Sequence, residues 1–251
     1  MKESVVILVA HAKAIHEGLV GLAAAGLLTG GYFYAAMWPP SQLFGRTLIA
    51  PRRAGELALT FDDGPNPAWT PQLLDTLAEH GVKATFFLVG SYAAEESALA
   101  RRIAAEGHAI GNHSWSHPNL ALSSPRQVRE EIYRTSGMLE QITGQAVKLF
   151  RPPFGARRPD VVLYARKLGM TPVMWNAMTT DWSEPSAERI AASLSAKIDS
   201  LERGRRAANI VLHDGGHLKL GADRGPSVNA ARLLLERYAK THRFVTVEEW
   251  V

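Results

Sequence analysis

The sequence predicts an α/β fold built on a parallel sheet, and two observations carry that expectation. From residue 56 onward, short apolar runs alternate with longer amphipathic ones. This is the pattern of repeated βα units whose strands lie parallel in an open sheet or a closed barrel. Polar clusters also follow the apolar runs: Asp62-Asp63, His113 to His117, Arg151, Asp181-Trp182 one loop later, and His213-Asp214. In a βα barrel the C-terminal strand ends share one face, so these clusters would meet there.

Leu57 to Phe61 reads as the first strand, ending at two adjacent carboxylates and the turn Gly64-Pro65. Thr70-Pro71 opens a helix to about Glu79, with proline near its first position. Ala84 to Val89 is a strand, followed by a helix to about Ala105 and a short strand at His108 to Gly111. Ser124-Pro125 caps a helix to about Ile142; Lys148 to Phe150 is a strand and Pro159 to Leu168 a helix. Thr171 to Trp175 is a strand, Ser186 to Arg203 a helix and Asn209 to Leu212 a strand. Pro226 to Ala239 is helical, and Phe244 to Val247 closes the series as about the seventh strand.

The rest of the chain has a different character. Residues 1–17 form a leading segment with Lys2, Glu3, Lys13 and Glu17; residues 18–38 carry no charge. Twenty-one helical residues span about 30 Å, the thickness of a bilayer core. Tyr32, Phe33, Tyr34 and Trp38 gather at one end, as interfacial aromatics do. The segment reads as a transmembrane anchor. A cleaved signal peptide is disfavoured because no small-x-small site follows the run; a buried helix is the remaining alternative. Flanking Lys and Arg give no decisive orientation. Residues 39–55, with Pro39, Pro40, Gly45, Pro51 and Gly55, read as a linker, leaving residues 56–251 as the α/β domain.

The 251 residues are 46% apolar and 21% charged, with a net charge of +4. The pairs Arg52-Arg53, Arg101-Arg102, Arg157-Arg158 and Arg205-Arg206 are scattered rather than striped, so they read as solvated surface charge. Nucleic-acid binding is unsupported. There is no cysteine, which excludes disulfides and thiolate metal sites. Oligomeric state is not legible.

Two adjacent carboxylates raise each other's proton affinity unless a cation shares the site. His113 and His117, spaced His-x-x-x-His, supply matching imidazoles. With one of Asp62 and Asp63 they make a two-histidine, one-carboxylate set suited to zinc and neighbouring divalent ions. Such an ion acidifies water, and a carboxylate outside the ligand set can take the proton. Arg151, in a stretch stiffened by Pro152 and Pro153, would hold that carboxylate ionised. His213 is the candidate acid, with Asp181 holding its imidazolium. Asp214 serves either the site or a turn cap. Trp182, with Val211 or Leu212, would wall a small apolar pocket, and His217 lies close enough in sequence to touch a substrate.

The stretches TFDDGP at 60–65, HSWSH at 113–117, RPPFG at 151–155, DW at 181–182 and LHD at 212–214 stand in this order. Together they resemble the polysaccharide deacetylases with a NodB homology domain, the carbohydrate esterases of family four, over residues 56–251. The resemblance implies a distorted (β/α)7 barrel and a metal-dependent N- or O-deacetylase. It also implies Asp62 as general base, with Asp63, His113 and His117 as ligands of a divalent ion, Zn²⁺ first, with Co²⁺, Ni²⁺ or Mn²⁺ as alternatives. By the same resemblance Arg151 orients Asp62, and His213, tuned by Asp181, is the general acid. The Phe154 N–H would help hold the oxyanion, and Trp182 with the strand end before His213 would receive the acetyl methyl. Tyrosine is common in the family at position 154, but a backbone donor survives that change.

A membrane tether suits a cell-envelope glycan such as peptidoglycan or a chitin-like oligosaccharide, with the domain facing the periplasm or exterior. Two rival readings remain at this stage: a deformylase or deacetylase of a lipid-linked amino sugar, and a catalytically silent glycan-binding module.

Overall fold

The computed structural model describes residues 2–251, with side chains described from Leu19 onward apart from Leu28. The charged side chains of the leading segment therefore lie outside the described set. A long helix, α1 (Lys2–Met37), precedes the α/β region. Its stretch Leu19–Met37 is long and apolar enough to cross a bilayer, by length and composition.

The α/β region runs β1 (Glu56–Gly64), α2 (Thr70–Glu79), β2 (Thr85–Leu88), α3 (Gly90–Glu95), α4 (Ser97–Ala105), β3 (Ala109–Asn112), α5 (Pro125–Thr143) and β4 (Leu149–Phe150). It continues through α6 (Pro159–Lys167), β5 (Thr171–Pro172), β6 (Ala177–Met178), α7 (Ala187–Arg203), β7 (Ala208–His213), α8 (Gly225–Tyr238) and β8 (Arg243–Phe244). Strand order is β5-β4-β3-β2-β1-β7-β6, with β8 beside the start of β1. Every pairing is parallel. The edge strands β5 and β6 are joined by residues 173–176 alone, so the sheet must curl until its edges approach. The result is an incomplete barrel wrapped by helices, as the βα alternation predicts.

Residues from the expected linker enter this gap. Leu48 bridges to Val173, the Ile49 carbonyl accepts from Asn209 Nδ2 at 2.9 Å, and Ala207 N donates to the Pro51 carbonyl at 3.1 Å.

Strand alternation sorts β1 cleanly. Leu57, Leu59 and Phe61 join the core beneath the helices, with Phe86, Leu88, Phe150, Ile210 and Leu212. The intervening Ala58 faces the barrel interior with Phe87, Leu149 and Val173. Thr60 and Asp62 share its parity. Ser124 and Ser186 each accept a hydrogen bond from the backbone three residues on, capping α5 and α7; such a cap stabilises a helix by about 1 kcal/mol.

Some expected elements differ. The strand expected over 171–175 ends at Pro172, and a separate strand, β6, forms on the opposite edge. Asn176 explains the break: its N–H donates to the Asn209 carbonyl and its Oδ1 accepts from Asn209 N, docking the chain beside β7. The helix expected up to Ala105 is two, separated at Glu96 with φ −105° and ψ 46°. Arg157, expected in solvent, is 1% exposed; backbone carbonyls at the end of α1 supply its partners.

Candidate active site

Asp62 and Asp63 lie inside β1 rather than beyond it. Between β1 and β2 the register slips: Asp62 pairs with Phe87 and Gly64 with Leu88, leaving Asp63 as the extra residue of a bulge. Asp63 has a left-handed φ of 68°. The strand's parity already sends Asp62 into the barrel, and the bulge re-aims Asp63 toward the same mouth. Ser114, His117 and Phe154 also have positive φ, at 65°, 56° and 58°. Such backbone conformations cost about 1–3 kcal/mol each and persist where surroundings over-determine them.

The loop carrying the histidines is locked by its neighbours. Glu131 accepts from Trp115 N and Ser116 N, each at 2.8 Å, and from Ser116 Oγ at 2.7 Å. Asn112 Oδ1 accepts from Ser114 N, and Ser114 Oγ accepts from His117 N. Across the mouth, the loop after β7 approaches so closely that a Cβ on Gly215 would lie 1.9 Å from the Asp63 carbonyl oxygen. Glycine is required there.

His117 Nε2 stands 3.0 Å and His113 Nε2 3.4 Å from Asp63 Oδ1. His113 Nδ1 lies 2.8 Å from the Arg151 carbonyl, which can only accept, so Nδ1 carries the proton and Nε2 presents its lone pair. Asp63 Oδ1 is buried and accepts no hydrogen bond. One donor atom from each of Asp63, His113 and His117 falls within 4.8 Å of the others. An orphaned carboxylate oxygen facing two imidazole nitrogens fits a divalent ion with open positions.

Asp62 is held separately. Arg151 NH1 donates to Asp62 Oδ1 at 2.7 Å and to Thr60 Oγ1 at 2.8 Å. The Arg151 guanidinium is fully buried, 4.0 Å from the Phe87 ring centroid. On the far wall His213 Nδ1 lies 3.0 Å from Asp181 Oδ1, leaving Nε2 for the cavity. Asp181 Oδ2 also accepts from His213 N at 2.8 Å and Ser227 Oγ at 2.6 Å. Burial pushes the His213 pKa down, but Asp181, helped by Asp63 and Asp62, overcomes it and raises the group to about 9. In the metal-free protein the imidazolium of His213 is therefore the favoured form at neutral pH.

These groups border a cavity of about 490 Å³. Asp62, Asp63, His113, His117, Phe154, Trp182, Val211 and His213 all line it. Trp182 is 45% exposed, its ring 5.3 Å from His213. Arg151 and Asp181 stand behind the wall as supports. Leu212 is corrected: it belongs to the core under the helices, because β7 alternation turns Val211 into the barrel and Leu212 out of it. Asp214 is buried away from the cavity, accepting from the Thr70 hydroxyl beside Gly64. His217 Nδ1 comes within 3.7 Å of Asp63 Oδ2.

Sequence reasoning missed Trp175 and Met178 on the wall, and the supports Thr60, Ser227 and Asn209. Asn209 carried a usable signal, as the one amide in an apolar strand; it donates to the Ile49 and Met174 carbonyls.

A histidine paired to a carboxylate, a carboxylate paired to an arginine and an Asp-His-His cluster able to hold a divalent ion border one cavity, an arrangement suited to hydrolysis on a βα-barrel scaffold. The profile of the family described as polysaccharide deacetylase matches residues 50–173. A chitooligosaccharide deacetylase of Bradyrhizobium sp. is 40% identical over 158 residues, covering 62% of this chain and 69% of that protein. A peptidoglycan-N-acetylglucosamine deacetylase of Bacillus cereus is 37% identical over 216 residues, covering 84% of this chain and 74% of that protein. The crystal structure of a peptidoglycan N-acetylglucosamine deacetylase, in complex with a 4-naphthalen-1-yl-N-oxidanyl-benzamide, superposes with a TM-score of 0.69. It is 36% identical, over 81% of this chain and 91% of that one. The chain belongs to the polysaccharide deacetylase family.

Proposed function

We propose that this enzyme removes acetyl groups from an N-acetylated envelope glycan, peptidoglycan or a chitin-like oligosaccharide, using a divalent ion, Zn²⁺ by preference, held by Asp63, His113 and His117. The observation that carries this reading is the division of labour between adjacent carboxylates: Asp63 faces two imidazoles while Asp62 is tied to Arg151. When bound, the ion supplies Lewis acidity that acidifies water and polarises the acetamide carbonyl. Asp62, held in place by Arg151, accepts the proton of the attacking water. The Phe154 N–H donates to the carbonyl oxygen as it gains charge. Trp182 and Val211 flank the acetyl methyl. His213 donates from Nε2 to the departing sugar nitrogen, and Asp181 keeps it protonated and oriented.

On this reading the chain divides into a leading segment (1–17), a membrane anchor (18–38), a connecting stretch (39–55) and the catalytic domain (56–251). The domain faces the periplasm or exterior, where such glycans lie. The test is acetate release by the full chain, purified in detergent, from a panel of N-acetylglucosamine oligomers, peptidoglycan fragments and acetylated xylan. Acetate from the amino-sugar substrates, abolished by chelation and restored by Zn²⁺ or Co²⁺, is expected. Formate from a lipid-linked formylated amino sugar assayed beside the panel, or glycan binding without turnover, would replace this reading.

A further inference from the structure

The junction between α1 and the domain contains a buried cation with no acidic partner among the described residues. Arg157 is 1% exposed. Among the described residues its guanidinium donates only to carbonyls: Gly155 at 3.0 Å, Trp38 and Ser41 at 2.8 Å, and Pro39 at 3.3 Å. Its backbone N–H donates to the Ala36 carbonyl at 3.0 Å. A helix C-terminus leaves its last carbonyls unpaired and carries partial negative charge. Arg157 answers both needs at the end of α1. Ala35 and Ala36 are buried at this contact, although residues 19–27 and 29–34 of the helix are exposed.

The acceptor Gly155 belongs to the turn Pro153–Gly155, which also presents Phe154 to the cavity. Phe154 sits in left-handed backbone at φ 58°, its ring centroid 4.6 Å from that of His117. The turn is packed tightly behind as well: a Cβ on Gly155 would lie 2.8 Å from Trp175, another cavity residue. The chain leaving α1 then closes a short loop, with Gln42 Oε1 accepting from Thr47 N at 2.7 Å. From there Leu48 pairs with Val173, and Ile49 packs against Met174, Trp175 and Val211. Residues 36–51 thus touch the cavity wall from two sides.

We propose that Arg157 is a positioning residue: it ties the end of α1 to the Phe154 turn, making residues 36–51 a strap of the active site rather than a tether. This rests on the deacetylase reading for its kinetic consequence. Its conformational consequence is independent of that reading.

The experiment compares the full chain in detergent with Arg157→Ala and Arg157→Lys, by amide hydrogen exchange of the metal-free protein and by acetate-release kinetics after Zn²⁺ loading. In Arg157→Ala, the hydrogen-bonded amides of 155–157 should exchange at least tenfold faster while β7 amides stay protected. The kcat should fall at least tenfold, with KM within about twofold, and Arg157→Lys should recover part of it. Faster exchange with unchanged kcat, or no local change in exchange, overturns the proposal. If Arg157→Ala exposes β7 as well, the exposed Gln42→Ala variant decides. It loosens the strap without touching the core, and must show the same local exchange and a smaller kcat loss; wild-type behaviour there overturns the proposal. Should the wild-type chain release no acetate from any glycan, the exchange result still stands or falls alone.

Discussion

Arg151 and Asp62 form a buried ion pair, NH1 to Oδ1 at 2.7 Å, with Thr60 and Asn209 completing the guanidinium's surroundings. Burial lowers the Arg151 pKa and Asp62 opposes that, so the guanidinium charge depends on its partner. Breaking such a pair leaves an uncompensated buried charge and costs about 3–5 kcal/mol. Arg151→Met is expected to lose stability on that scale and to lose turnover as well. Urea denaturation and acetate release measure both; a variant with wild-type turnover would show that Asp62 needs no partner.

The adjacent carboxylates should separate by mutation. Asp62→Asn keeps the Asp63, His113 and His117 donors, so it should bind a stoichiometric divalent ion while losing roughly 10²–10⁴ in kcat, the usual contribution of a general base. His113→Ala removes one donor and should lose both ion and activity. Metal content by elemental analysis, taken beside kinetics, reads the difference. Equal metal loss in the two variants would exchange or erase the assigned roles.

The polar residues that meet at the mouth were legible because strand ends fix their position and their chemistry is distinctive. Parity was less so. Choosing Val211 over Leu212 needs the strand's facing, and a continuous apolar run such as Ile210-Val211-Leu212 shows no alternation from which to read it. The two-residue strand Ala177–Met178 has too little sequence to announce itself. The positive φ of Asp63 and His117 was hidden because even aspartate and histidine, which adopt it more readily than most non-glycine residues, do so only in a small minority of positions. Arg157 was misplaced in solvent because all but one of its acceptors are carbonyls more than a hundred residues earlier, which no side-chain pattern marks.

The His213–Asp181 pair makes a pH prediction. The folded pKa, about 9, lies above the unfolded value near 6.5. The stabilisation this pair gives is therefore complete below about pH 6.5 and is lost as pH rises through 9. As the proposed proton donor His213 should sustain kcat below its own titration, with an alkaline fall that the divalent ion, by offsetting the Asp63 charge, draws below the metal-free value of about 9. Asp181→Asn removes the dominant partner, and the fall should move down by a unit or more. An alkaline limb that stays in place would assign it to another group.

Asp214 offers the opposite balance, a carboxyl buried without a cation. Burial raises its pKa; the Thr70 hydroxyl and its own backbone N–H pull it down less, and Asp63 and Asp62 push it up again, to about 7. Between about pH 4 and pH 7 the folded metal-free protein therefore holds a proton that the unfolded chain has released. Stability must fall as pH rises through that window, by up to about 1.4 kcal/mol per pH unit from this group. Asp214→Asn keeps the shape of the neutral carboxyl and carries no proton equilibrium in either state. Its stability relative to wild type should be lowest near pH 4 and climb steadily until about pH 7, then level. Chemical denaturation of both proteins across pH 4–8, with chelator present, measures that difference directly because all other titrating groups are shared. Parallel curves would mean that Asp214 is ionised in the fold, and that the Thr70 hydroxyl and backbone alone suffice to hold its charge.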